Sequence, residues 1–238
     1  MDVRGAANSL FAVGWTMGLA SAALGRTVLG GDAAAVGKLT GPWAKGLARV
    51  WGMQVRAFGS ERIDTSRTYV FMVNHQSNAD IVALLVALPI QPGFLAKKEL
   101  RDVPVFGRAM EVGGHVFIDR KRRQDAFKAI ADAAEQVAEG RSIAIFPEGT
   151  RGEGTEVRPF KKGGFHLAKQ AGVPIVPVGI RGSNEVLPRE GRFVHPGAVE
   201  VHIGEPIEPD TIASLDIDPL IGRVRHDIAQ LIGVPVRG

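Results

Sequence analysis

From residue 64 onward the sequence alternates between short apolar runs and amphipathic stretches, and this alternation restricts its fold more than any other feature. Strand-like runs occupy 68–73 (TYVFMV), 93–96 (GFLA), 115–118 (HVFI), 142–146 (SIAIF), 174–180 (PIVPVGI) and 199–203 (VEVHI). Helix-like runs fall between them at 79–89, about 104–112, 122–139 and 162–171, with a last one near 217–232. Strands separated by helices need crossover connections, so the pattern predicts an α/β fold with a mostly parallel sheet flanked by helices on both faces. In such sheets ligands collect at the carboxyl ends of the strands. Polar, chemistry-bearing residues stand at three of those ends, around residues 75, 120 and 148.

The first 63 residues differ in character. From Gly5 to Gly25 no residue is charged, yet the stretch is rich in Gly, Ala and Ser. It is long enough to span a bilayer, but its modest hydrophobicity favours a helix lying in or on the membrane. In PWAKGLARVWG, residues 42–52, the side chains of Trp43, Leu47, Val50 and Trp51 share one helical face, while Lys45 and Arg49 share another. That face either enters the headgroup region or packs on the rest of the protein. The segment holds seven Lys/Arg and three acids, and so carries the whole net charge of +4. Local positive charge of this kind suits an anionic membrane surface better than a nucleic-acid groove. The expected division is a helical membrane-interaction segment, 1–63, and an α/β domain, 64–238.

The chain has no cysteine, which removes disulfides, thiolate nucleophiles and Cys-based zinc sites. No G-x-S-x-G elbow occurs, and the six histidines show no H-E-x-x-H spacing. In VNHQSNAD, His75 and Asp80 stand at the join between a buried strand and a buried helix. A neutral imidazole is a natural general base, and a carboxylate on its second ring nitrogen fixes the tautomer. A structural histidine beside a first-turn aspartate would satisfy the same short pattern. In GHVFIDR, Arg120 leaves the end of a strand and suits bidentate contact with phosphate. In FPEGTR, Gly149 permits a tight turn from which Glu148, Thr150 and Arg151 project. In GVPIVPVGI the prolines mark a strand start, an edge or a bulge. Standing alone, the His75–Asp80 pair and FPEGTR read better as ordinary structure, and Arg120 reads equally well either way.

Taken in order, N-H-x4-D, G-x-V-F-I-D-R, F-P-E-G-T-R and V-P-I-V-P-V resemble the glycerolipid acyltransferase family, over roughly residues 64–182. The resemblance implies His75 as general base with Asp80 as its partner. It implies Arg120, Glu148, Gly149, Thr150 and Arg151 around an acceptor phosphate, with Lys98, and less directly Lys97, adding to the grip. The implied reaction passes an acyl chain from acyl-CoA or acyl carrier protein to the free hydroxyl of 1-acyl-glycerol-3-phosphate (lysophosphatidic acid). It needs no metal and no cofactor beyond that co-substrate. The implied setting is the cytoplasmic face of the membrane, held monotopically by the N-terminal helices. Glycerol-3-phosphate, another lysophospholipid or an amino-acid-derived lipid are alternative acceptors, and a non-catalytic lipid-binding protein is an alternative class. Ser77 and Thr150 are the hydroxyls that could carry the acyl group if transfer were not direct.

Overall fold

The computed structural model describes residues 3–30, 36–119, 123–191 and 193–237. Helices α1 (Val3–Val28) and α2 (Thr40–Trp51) precede a seven-stranded sheet of order β1-β7-β6-β2-β5-β3-β4. The strands are β1 (Met53–Phe58), β2 (Val70–Val73), β3 (Gly93–Lys97), β4 (Val116–Ile118), β5 (Ile143–Ile145), β6 (Ile175–Arg181) and β7 (Gly197–Ile203). The helices that follow are α3 (Ala79–Ala87), α4 (Phe106–Val112), α5 (Arg123–Ala138), α6 (Gly163–Ala171), α7 (Ser183–Val186), α8 (Pro209–Ser214) and α9 (Ile217–Ile232).

The expected parallel sheet is present as the block β6-β2-β5-β3-β4. At the centre of the seven strands is β2, a VFMV run buried on both faces, as an interior parallel strand must be. β7 runs antiparallel to β6, because the connection between them turns back through the short α7 instead of a full crossover helix. One face of the sheet packs against α2 and α3. The other packs against α5, α6 and α9.

The N-terminal third departs from the sequence reading at one point and decides between two readings at another. The sheet begins before residue 64: MQVRAF forms β1 and pairs in parallel with β7, Val55 opposite Val199 and Ala57 opposite Val201. Its sequence alternates Met53, Val55 and Ala57 with Gln54 and Arg56, as a half-covered edge strand does, although only Met53 is fully buried. The second point concerns α2, whose apolar face had two readings. Leu47 and Trp51 are buried, and Trp43 and Val50 pack against the same core, so this face meets the protein and not a headgroup layer. Lys45 and Arg49 remain exposed on the other side.

Exposed apolar surface lies instead on α1, at Leu10, Phe11 and Val13. Ala7–Val28 is long and apolar enough to cross a membrane by length and composition, with a mean hydropathy of 1.2. Its inner side is tied to α2 by two indoles. The Trp15 Nε1–H donates to the Trp43 carbonyl (3.2 Å), and the Trp43 Nε1–H donates to Thr16 Oγ1 (3.0 Å). The close approach requires Gly46, where a Cβ would meet the Trp15 ring at 2.6 Å. Further along, α1 also packs against α4.

Candidate active site

The His75–Asp80 turn and the FPEGTR turn lie at the carboxyl ends of β2 and β5, while GVPIVPVGI forms β6 beside them. After β2 the chain turns sharply into α3, and the turn is held from several sides. The Asn74 amide spans the gap to β6: Nδ2 donates to the Ile180 carbonyl (2.9 Å), and Oδ1 accepts the Ile180 N–H (2.7 Å). The Gln76 side chain donates to the same carbonyl (2.7 Å). The Ser77 hydroxyl donates to the Leu187 carbonyl (2.6 Å) and accepts the Ala79 N–H (3.0 Å).

His75 and Asp80 meet inside this turn. His75 Nδ1 lies 2.7 Å from Asp80 Oδ2. The same oxygen accepts the backbone N–H groups of Gln76 (2.8 Å) and Ser77 (2.9 Å). A carboxylate oxygen accepting from Nδ1–H leaves the lone pair of the neutral imidazole on Nε2. Asp80 is fully buried, while the His75 side chain keeps 13% exposure at a cavity wall. The ring is also fixed by stacking on Phe146, centroid to centroid 4.1 Å. An imidazole held in this way, with a carboxylate at Nδ1 and an aromatic ring against its face, is able to accept a proton at Nε2.

The turn after β5 brings FPEGTR beside this pair. Gly149 sits at φ 73°, in the left-handed region that a non-glycine residue rarely adopts. Glu148 Oε1 accepts the backbone N–H of His75 (2.8 Å), and the backbone N–H of Gly152 donates to the His75 carbonyl (2.7 Å). The two loops thus clamp His75 by its backbone. Burial pushes the Glu148 carboxyl up to about 7, against the opposing pull of the His75 and Arg158 N–H groups and the Arg158 guanidinium. Glu148, expected beside a ligand phosphate, is turned inward and positions the loop that bears His75.

A cavity of about 580 Å³ opens in front of His75. Its apolar walls come from α1, α2, β3 and α4, among them Leu19, Ala20, Trp43, Phe94 and Met110. His115 belongs to the same wall. It accepts the Phe94 N–H through Nδ1 (3.1 Å), and burial lowers it to about 4, so it is a neutral lining residue. At the polar end stand His75, Lys97, Gly149, Thr150, Arg151 and Arg189. Of the two lysines, it is Lys97 that lines the cavity. Lys98 was expected there, but its Nζ lies 3.5 Å from Asp119 Oδ2. Successive side chains at a strand end point in different directions, so a shift of one residue decides which lysine faces the site. Arg120 lies outside the described residues. Arg158 and Arg189 were not named from the sequence, because both stand apart from the motifs with no spacing signal.

The fold and this site define an acyltransferase. The chain matches the family model described as Acyltransferase over residues 54–181, more than half its length, and belongs to that family. The match starts in β1 and ends with β6, and it contains His75, Asp80 and the FPEGTR turn. Among relatives, the chain is 33% identical over 184 residues to the mouse 1-acyl-sn-glycerol-3-phosphate acyltransferase alpha, covering 76% of this chain and 65% of that one. It therefore spans just under two thirds of that relative's length. It is 31% identical over 187 residues to the Escherichia coli 1-acyl-sn-glycerol-3-phosphate acyltransferase, covering 78% of this chain and 76% of the relative. The crystal structure of the 1-acyl-sn-glycerophosphate (LPA) acyltransferase of Thermotoga maritima superposes with a TM-score of 0.80 at 28% identity, covering 97% of each chain.

The Glu148 environment makes a prediction about stability. Its folded pKa of about 7 lies above the ordinary value of 4.5, so the folded protein holds that proton more tightly than the unfolded chain. The associated stability is complete below pH ~4.5 and is lost as pH rises to ~7, by about 3 kcal/mol. Glu148→Gln, which keeps an acceptor for the His75 N–H, should abolish that loss. Denaturant unfolding of both proteins at pH 5 and pH 8 checks it. An identical pH dependence in the two would show that Glu148 ionises without cost.

Proposed function

We propose that this chain transfers an acyl group from an acyl-thioester, acyl-CoA or acyl carrier protein, to the free hydroxyl of 1-acyl-glycerol-3-phosphate, giving phosphatidic acid. The observation that carries this reading is the His75–Asp80 pair (2.7 Å) at the head of an apolar cavity whose polar end is basic. The names of the relatives above support the same acceptor.

The acceptor hydroxyl is a poor nucleophile until its proton leaves. His75 Nε2 takes that proton as the oxygen attacks the thioester carbon, and Asp80 stabilises the imidazolium that forms. The C–S bond then breaks, and the departing thiolate recovers the proton from His75. Phosphate contacts with Arg151, and with Lys97 on the adjoining wall, fix the hydroxyl against the base; this is the proximity contribution. The apolar walls suit acyl chain. Direct transfer is favoured over a serine carrier by the state of Ser77, which is fully buried with its hydroxyl committed to Leu187.

The same reading places α1 in the cytoplasmic leaflet without crossing it. Its inner side is bonded to α2 and lines the cavity, while Leu10, Phe11 and Val13 face outward. A helix held along the body in this way brings the cavity to the depth where lysolipid chains reside.

His75→Ala should lower kcat by roughly 10²–10⁴-fold with acceptor binding retained. Initial-rate patterns for the wild type should intersect, as a ternary complex requires, and no acyl-enzyme should accumulate with donor alone. Near-normal turnover in the variant, or parallel lines, would refute the base assignment or direct transfer respectively.

For the membrane, Phe11→Asp should weaken binding to vesicles containing anionic lipid by about tenfold or more, since a buried phenyl group contributes about 1.5–3 kcal/mol. Its thermal stability in detergent should stay near wild type. Unchanged vesicle binding would remove α1 from the interface, and labelling of an N-terminal tag from the outer face of intact cells would restore a spanning helix.

A further inference from the structure

The cations at the polar end of the cavity do not all belong to the segment shared with the family. Arg189, in the connection between α7 and β7, lies past the end of that match at residue 181. It lines the cavity together with His75 and Arg151. Arg189 Nη1–H donates to the Arg151 carbonyl (3.1 Å), and Arg151 Nη1–H donates to the Arg189 carbonyl (3.4 Å). Each arginine fixes the other's backbone with one donor, and a guanidinium has five. Arg158 reaches the same Arg151 carbonyl (3.4 Å), but its charge is already opposed by Glu148. The Arg189 Nε lies 3.6 Å from Glu190, whose side chain is 92% exposed, and a pair so open to water is weak.

The charge count around the cavity is one-sided. Lys97, Arg151 and Arg189 line it, and among the described residues no aspartate or glutamate does. Like charges held together repel, and a bound anion removes that cost. The strength of the requirement depends on the anion. A phosphomonoester carries about −1.5 to −2 at neutral pH, whereas a phosphodiester carries a single charge and a zwitterionic headgroup no net charge. Two guanidiniums match the first of these and exceed the others.

We propose that Arg189 is the second guanidinium of the acceptor-phosphate site, paired with Arg151, and that the pair makes a phosphomonoester lysolipid preferred over phosphodiester and zwitterionic ones. The proposal rests on the acyltransferase reading above and adds to it a specificity residue from outside the shared motifs.

The test is steady-state kinetics of the full chain in detergent micelles, varying each substrate in turn with acyl-CoA as donor. Arg189→Ala should raise KM for 1-acyl-glycerol-3-phosphate roughly 10–100-fold, as loss of a charge-assisted contact does. KM for acyl-CoA should stay within about twofold. The ratio of kcat/KM for 1-acyl-glycerol-3-phosphate over lysophosphatidylcholine should fall. Arg189→Lys should recover part of both effects, and both variants should melt near wild type. An unchanged acceptor KM, or a rise confined to the donor, would overturn the proposal, the latter assigning Arg189 to the phosphates of coenzyme A. Equal losses on both substrates with a lowered Tm would mean a structural role and also overturn it. If the wild type acylates no lysolipid, the underlying reading fails instead. Calorimetric binding of 1-acyl-glycerol-3-phosphate to wild type and Arg189→Ala then decides the site alone: weaker binding by the variant supports it, and equal or absent binding overturns it.

Discussion

One oxygen atom organises this site. Asp80 Oδ2 receives three N–H groups, from the His75 ring and from the backbones of Gln76 and Ser77, at 2.7–2.9 Å. It folds the turn between β2 and α3 back on itself and orients the imidazole in the same act. A carboxylate with no exposure is stable only when its donors are in place. The fold of the turn and the orientation of the His75 ring therefore rest on the same set of bonds, all made by Oδ2, while the buried Oδ1 has no partner among the described residues. The surrounding bonds from Asn74, Ser77 and Glu148 join that unit to β6, to the segment after α7 and to the turn after β5.

From this unit the architecture divides in two. On one side the basic residues stand at strand ends and in the connection between α7 and β7, where backbone irregularity is tolerated and polar groups find partners. On the other, α1 and α2 wall an apolar cavity that ends at His75. The arrangement suits a substrate with two unlike ends, a charged headgroup and a hydrocarbon chain, with the reacting hydroxyl between them. The indole bonds between α1 and α2 matter for the same reason. Helices that only anchored the chain would not need to be fixed relative to the base, whereas helices that form the wall do.

Much of this could be read from the sequence. The alternation of apolar runs found every strand of the parallel block: β2, β5 and β6 are buried and continuously hydrophobic, and the partly covered β3 and β4 are still short apolar runs set between helix-like stretches. The His75–Asp80 pair, with its neighbours in one short motif, was also legible. What escaped was what depends on contacts distant in sequence. MQVRAF does alternate, Met53, Val55 and Ala57 against Gln54 and Arg56, so β1 was legible, but nothing local showed that its partner would be the distant β7. The apolar stripe of α2 looks the same whether it faces lipid or protein, and packing decided for protein. Glu148 turned inward because the His75 and Arg158 backbones offer it donors. Lys97 displaced Lys98 by the geometry of a single strand end. Arg189 approaches the site through the fold alone.

The central claim is that Asp80 fixes His75 as a base with its lone pair on Nε2. The direct measurement is the nitrogen-15 NMR signature of the His75 ring in the neutral enzyme, compared with Asp80→Asn. The account predicts a proton on Nδ1, hydrogen-bonded to the carboxylate, with Nε2 unprotonated, and loss of that pattern in the variant. A neutral ring protonated on Nε2, or one unchanged by Asp80→Asn, would contradict it.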